Sequence, residues 1–263
     1  MGRLTARFLA LFRRWDAASR LAFILAFVLL IPAVLIAASG PQEVRGIALG
    51  SVIGLIISAQ LIFMWANRTM VTNYVAAQRA FLIGDFEQTR AILEPLATSG
   101  KARAPELTLL GNTYRQLGDL DASETTLLQA LEQEPEHPFP LYGLGKTQLV
   151  QGHYAEAIQT IAHALDMGAP AVVTVDLLEA RYRDGDVDLA RDLLDDAEAA
   201  AALDESYRRL LVAYLRHRLD EGPPPDADLI RDGLPFWDAE VLRYALTPYA
   251  EALKQDVDHL REL

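Results

Sequence analysis

The sequence predicts an all-α protein in two parts: an N-terminal pair of membrane-crossing helices, then a solenoid of stacked helical hairpins closed by a helical C-terminal cap. Three observations predict it. Four glycines, Gly84, Gly118, Gly152 and Gly185, are spaced 34, 34 and 33 residues apart, and similar pairs follow them: Asp85-Phe86, Asp119-Leu120, His153-Tyr154 and Asp186-Val187. A period of about 34 suits one helix–turn–helix unit, which cannot bury its apolar face alone and must stack on copies of itself. Two uncharged apolar stretches, Leu21 to Gln42 and Gly46 to Asn67, precede the repeats, and each reaches the roughly 20 residues that a helix needs to cross a bilayer. Charge divides at the same boundary. Residues 1–68 hold seven arginines against Asp16 and Glu43, a net of +5; the chain totals −12, which leaves −17 on residues 69–263.

Residues 1–20 form a basic segment. Leu4, Phe8, Leu11, Phe12 and Trp15 share one helical face, with Arg3, Arg7, Arg13 and Arg14 around it, the pattern of an interfacial amphipathic helix lying on lipid. Met1-Gly2 fits the start of a myristoylation signal, but Ala6 stands where Ser or Thr is required. Residues 21–68 form the transmembrane hairpin, turning at Ser39 to Arg45. Ala37-Ala38-Ser39 has the small residues of a signal-peptide cleavage site, yet the apolar run exceeds the roughly 7–15 residues of a signal core and a second span follows at once. Pro32 predicts a kink. Gly50, Gly54 and Ser58 make a smooth strip for the first span to pack on through Ala22, Ala26 or Ala33. Gln60 needs a polar partner, and the lack of ionisable groups at depth argues against transport. Five arginines precede the first span and only Arg45 lies in the loop. That asymmetry, supported by Arg68 and Arg79, places both termini and the solenoid on the cytoplasmic side of an inner (plasma) membrane.

Residues 69–203 carry four repeats. The clearest, about 104–137, has Leu107, Leu110-Gly111, Tyr114, Gly118, Ser123, Leu127, Ala130 and Pro135. The next, about 138–170, has Leu141, Leu144-Gly145, Gly152, Tyr154, Ala157, Ile161 and Ala164, with Gln148 in place of an aromatic. The third, about 171–203, keeps Leu177, Gly185, Ala190, Leu194 and Ala197 but has Leu178 and Arg181 where Gly and an aromatic are usual. The first, from about Met70, is degenerate: Asn73, Ala76-Ala77, Ala80, Gly84, Phe86, Leu93 and Leu96, with Thr89 at a small-residue position. Gly111, Gly145, Ala130 and Ala164 let paired helices approach, while Tyr114, Leu127 and Ile161 fill the seam. In these positions the chain resembles the tetratricopeptide repeat (TPR) family, and the overall layout resembles a membrane-anchored bacterial-type member.

Residues 204–263 begin with a fifth first-helix, marked by Tyr207, Leu210-Leu211 and Tyr214. Asp220 to Pro225 reads as a stiff connector. Asp226 to Asp232 reads as a short helix, Leu234 to Trp237 as a turn, and Pro248 as a helix start or kink. Tyr249, Leu253, Val257 and Leu260 share a face that would cover the solenoid's last apolar surface.

No catalytic or metal constellation emerges. There is no Cys, which excludes disulfides and thiolate sites. The five histidines lack metal-ligand spacing, Asp184, Asp186 and Asp188 lack the order of a calcium loop, and Gly143-Leu-Gly145-Lys146 lacks that of a phosphate loop. No enzyme, cofactor or metal is expected. Acidity directs residues 69–263 away from nucleic acid and anionic lipid.

What the resemblance implies is a concave groove lined by each unit's first helix. By register it holds Tyr74, Gln78 and Phe81; Thr108, Asn112 and Arg115; Tyr142, Lys146 and Leu149; Val175, Glu179 and Tyr182. Of the carboxylate clamp found in chaperone-binding members, only Asn112 matches, and Tyr74 replaces a clamp Lys, which disfavours chaperone tails. The expected function is a scaffold or adaptor that binds a protein partner through its cytoplasmic solenoid. The rivals are an assembly or quality-control factor for membrane complexes and a constitutive subunit of one. Cytochrome-maturation proteins resemble the layout, but their longer basic loop is missing here.

Overall fold

The computed structural model describes Phe12, residues 15–219 and residues 221–263, with the backbone alone for residues 67–72. The expected amphipathic helix at the N-terminus lies almost wholly outside the described residues. The chain divides into two compact units, one up to Ala76 and one from Ala77.

The first unit is helical. Helix α1 (Ala17–Ser39) starts on Asp16, whose carboxylate accepts from the Ser19 amide at 2.9 Å and the Ser19 hydroxyl at 2.7 Å. It runs on through Pro32 to Gly40, and Arg45 closes the connection by donating to the Gly40 carbonyl at 2.8 Å. Helix α2 (Gln42–Leu82) is one continuous element of 41 residues, so the boundary expected at residue 69 falls inside a helix. Ala17–Ser39 and Gln42–Ala66 are long and apolar enough to cross a membrane, and only 6% of each apolar window is buried. The core helix of a soluble domain would be mostly covered.

The glycine strip differs from expectation. A Cβ at Gly46, Gly50 or Gly54 would meet nothing within 4 Å. α2 turns Leu55, Ala59 and Phe63 toward Phe23, Ala26 and Phe27 of α1 across an apolar groove of about 450 Å³. Ala26 and Ala48 are buried. Trp15, 3% exposed, fills the open end of the hairpin against Phe12, Phe23 and Phe63 at centroid distances of 5.3, 5.2 and 5.6 Å. These rings need depth, so the bulky face of α2 turns inward and the smooth face outward.

The second unit is built from antiparallel helix pairs. The end of α2 pairs with α3 (Phe86–Thr98), α4 (Ala104–Gln116) with α5 (Leu120–Gln133), and α6 (Pro138–Gln151) with α7 (Tyr154–Asp166). In the fourth pair α8 (Thr174–Asp184) meets a second helix broken at Leu193 into α9 (Val187–Asp192) and α10 (Leu194–Ala201). The four turns repeat one geometry. Gly84, Gly118, Gly152 and Gly185 all lie at φ between 80° and 86°. The next amide bonds back to the carbonyl five residues earlier each time: Asp85 to Ala80, Asp119 to Tyr114 and His153 to Gln148 at 2.9 Å, Asp186 to Arg181 at 3.0 Å. Only glycine adopts this left-handed turn without strain. Asp85 and Asp119 then cap the following helices through the amides of Gln88 and Ala122.

Helix approach inside each pair is equally close. A Cβ on Gly111 would sit 2.5 Å from Leu127 Cγ, and one on Gly145 2.5 Å from Ile161 Cγ1. Gly111→Leu should therefore force α4 and α5 apart and lower stability by about 1–3 kcal/mol; a thermal melt matching wild type would contradict this register.

The tail folds back as well as covering an end. α11 (Ser206–Arg218) packs on α12 (Ala227–Arg243), and α12 on α13 (Pro248–Glu262). α12 runs unbroken through Pro235, contrary to the turn expected at Leu234 to Trp237. Burial of Gly233 against Leu210 and of Trp237, which donates to the Tyr207 carbonyl at 3.4 Å, outweighs the lost helical bond. α13 returns to α6. A Cβ on Gly152 would lie 3.0 Å from Pro248, and one on Gly118 would lie 3.1 Å from the Arg243 carbonyl. The predicted face of α13 is buried: Tyr249, Leu253, Val257 and Leu260 are each at most 2% exposed and share one core with Leu149, Leu178, Tyr214 and Trp237.

A candidate partner groove, half filled by the chain's own helix

The structure places the register-derived residues on the first helices α2, α4, α6 and α8, but it separates them into open and covered sets. Gln78 is exposed, and Tyr74, Asn112 and Arg115 are half-buried. The Arg115 guanidinium donates to Asn112 Oδ1 at 3.3 Å, while its buried Nε has no partner among the described residues. Thr108 is buried and donates to the Ala104 carbonyl, and Phe81 meets Phe86 edge-on.

Tyr142, Lys146 and Glu179 were expected on an open face. The fold-back of α12 and α13 covers them instead, and intramolecular partners satisfy them. Lys146 Nζ lies 2.6 Å from Asp176, and the Tyr142 hydroxyl donates to the other oxygen of that carboxylate at 2.7 Å. Glu179 pairs with Arg183 at 3.3 Å, and Arg183 also pairs with Asp256 of α13 at 2.7 Å. Tyr214 donates to Asp256 at 2.8 Å, and Tyr249 to Glu240 at 3.1 Å. Leu149 and Val175, also expected on the groove face, are core residues with no exposure. Tyr182 remains at the rim, accepting from Arg218 at 3.4 Å. A cavity of about 110 Å³ persists between the two sets, lined among others by Arg115, Tyr142, Lys146, Arg208 and the stacked rings of Tyr207 and Phe236.

Burial dominates the electrostatics. It pushes the Glu179 carboxyl above the usual range, and the neighbouring Arg183 and Lys146 cations oppose this only in part. Burial alone would lower the Lys146 ammonium, but the Asp176 carboxylate, with help from Tyr142, Glu179 and Glu240, leaves it raised and charged. Nothing in this network resembles a nucleophile with a neighbouring base.

Sequence reasoning missed Asp176, Arg183, Glu240 and Asp256. Asp256 carried a signal: it stands beside Val257 on the apolar face of the last helix, where an unpaired carboxylate would be costly.

Turns of one geometry at a repeated spacing, with paired helices stacked in series, define a helical-repeat protein whose output is a surface. A family model for the tetratricopeptide repeat matches residues 107–137. The chain is similar to the TPR repeat-containing protein YpiA of Bacillus subtilis (strain 168), with 29% identity over 96 residues. The match takes in 36% of this chain and 22% of that protein, so the chain spans about a fifth of that relative's length. Among solved structures, a MamA RS-1 double mutant is similar over 73% of this chain and 97% of its own, at 17% identity and a TM-score of 0.49. MamA MSR-1 covers 67% of this chain and 97% of its own, at 17% identity and 0.48. Residues 107–137 thus match a tetratricopeptide repeat, and they lie within a stack of helix pairs joined by turns of one geometry.

Proposed function

We propose that the chain is a membrane-anchored scaffold: α1 and the first part of α2 cross the inner membrane, and the solenoid recruits a protein partner on the cytoplasmic side. The observation that carries this reading is the pairing of two lipid-compatible helices with a stack of helical repeats, one of which matches the tetratricopeptide repeat. The solenoid's acidity favours a neutral or basic protein surface over nucleic acid. Two membrane helices and the basic N-terminal segment account for the lipid contact.

Orientation follows from arginine placement. A reporter active only outside the cytoplasm, fused after Leu263, should stay silent; activity there would reverse the topology.

Within the groove, the open residues Gln78, Asn112 and Arg115 are the recruiting group, with Tyr182 at the rim. Lys146 and Glu179 hold the floor in place. Asn112→Ala with Arg115→Ala should cut partner recovery in mild detergent at least tenfold with no change in circular dichroism, since hot-spot truncations each cost about 2 kcal/mol or more. Recovery at the wild-type level would remove the groove from the proposal. A stable stoichiometric complex in the same purification would favour the constitutive-subunit alternative, and substoichiometric clients would favour an assembly factor.

A further inference from the structure

We propose that α13 is the resting occupant of a helix-binding groove, and that the partner class the groove fits is an amphipathic helix of α13's own chemistry, which exchanges with it. This rests on the reading of the solenoid as a recruiter.

The seat is formed by α12 and α6, with Arg183 of α8 and Tyr214 of α11 reaching into it, and what it holds is an amphipathic helix. Tyr249, Leu253, Val257 and Leu260 face inward, while Glu251, Lys254, Gln255 and Asp258 face solvent. One charged group fixes the register. The Asp256 carboxylate accepts from Arg183 through one oxygen at 2.7 Å and from Tyr214 through the other at 2.8 Å. The recognised pattern is therefore Tyr, then Leu four residues on, then Asp-Val, then Leu. A partner helix needs an acidic residue flanked by aliphatic ones at this spacing.

α13 does not exhaust the seat. Arg183, 3% exposed, engages Asp256 and Glu179 through its two terminal nitrogens, and its buried Nε has no partner among the described residues. A carboxylate that takes Nε and a terminal nitrogen together would gain the fork geometry the self-contact lacks. The joint before α13 leaves apolar side chains uncovered: Leu246 is fully exposed, and Leu242 is 79% exposed. Because an incoming helix re-buries the same seam, exchange costs only the difference between the two helices.

The test uses the full-length chain in detergent micelles and a fluorescent peptide of residues 244–263. Isotope-labelled chain with excess unlabelled peptide should show faster amide exchange across 248–262 and unchanged exchange in α4 and α5. Asp256→Asn, which keeps the shape and weakens the anchor, should raise the chain's affinity for the Asp-bearing peptide at least tenfold. A peptide with Lys at the Asp256 position should not bind. Unchanged exchange at saturating peptide, or equal binding of the two peptides, would overturn the proposal. So would concentration-dependent dimers with no peptide uptake, which would assign the seat to a second copy's helix. The exchange readout keeps the test decisive if Asp256→Asn fails to fold. Recruitment through Asn112 and Arg115 is measured separately, so its failure is distinguishable from failure of helix exchange.

Discussion

Arg183→Ala is expected to lower the free energy of unfolding by about 3–5 kcal/mol, the cost of removing one partner from a buried ion pair. Arg183 and Glu179 side chains are each 3% exposed and that of Asp256 is 10%, so the change would leave two carboxylates with almost no access to water. The guanidinium also lies 5.3 Å from the Tyr249 ring centroid, a contact that would be lost as well. Arg231→Ala, which removes an exposed arginine paired with Asp228 and Asp232, should leave the unfolding midpoint unchanged. The deficit should depend on pH in a stated direction. Burial already raises the Glu179 carboxyl, and loss of Arg183 removes the main charge opposing that shift. A carboxyl whose folded pKa lies above its unfolded value contributes stability at low pH that is lost as pH rises through the folded value. The variant should therefore approach wild type as pH falls toward the ordinary carboxylate range and diverge from it above. Denaturant melts across that range check both the size and the sign.

Lys146→Ala should be of similar size, about 3–5 kcal/mol, because it strands Asp176 beneath the C-terminal helices with only the Tyr142 hydroxyl left. The cause is the abandoned charge, so Asp176→Asn in the Lys146→Ala background should restore much of the loss. A full loss that Asp176→Asn does not relieve would point to packing by the lysine stem instead. A surface role for Lys146, by contrast, predicts almost no change in stability.

The two halves of the second unit differed in how much the sequence disclosed. The repeat turns were legible because a left-handed residue is needed at a fixed period, and glycine meets that need visibly at 84, 118, 152 and 185. Gly111 and Gly145 were legible for the same kind of reason: each faces a large side chain at a distance no Cβ tolerates. The face of α13 was legible as a buried stripe, but a stripe does not say what covers it. Hence an end cap was expected, while the fold-back onto α6 was not. That contact depends on Arg183 meeting Asp256, 73 residues away, and local periodicity carries no information about such pairing. Pro235 misled because its helix-breaking cost is local, whereas the burial of Trp237 that outweighs it is tertiary. The glycine strip of α2 misled differently. Both faces of that helix are apolar, so composition could not tell which one met α1, and the large rings of Phe23 and Phe63 decided it.

Partner recruitment through the open concave face is tested most directly by site-specific photocrosslinking in intact membranes. A photoreactive side chain at position 116 lies on the first helix α4 beside Arg115 and lines the same cavity, and one at position 128 lies on the exposed side of α5, where Leu128 is 47% exposed. The predicted result is a discrete protein adduct from position 116, weakened by Arg115→Ala, and none from position 128. An adduct from position 128 with none from position 116 would contradict groove recruitment and move the interface to the outer face of the repeats.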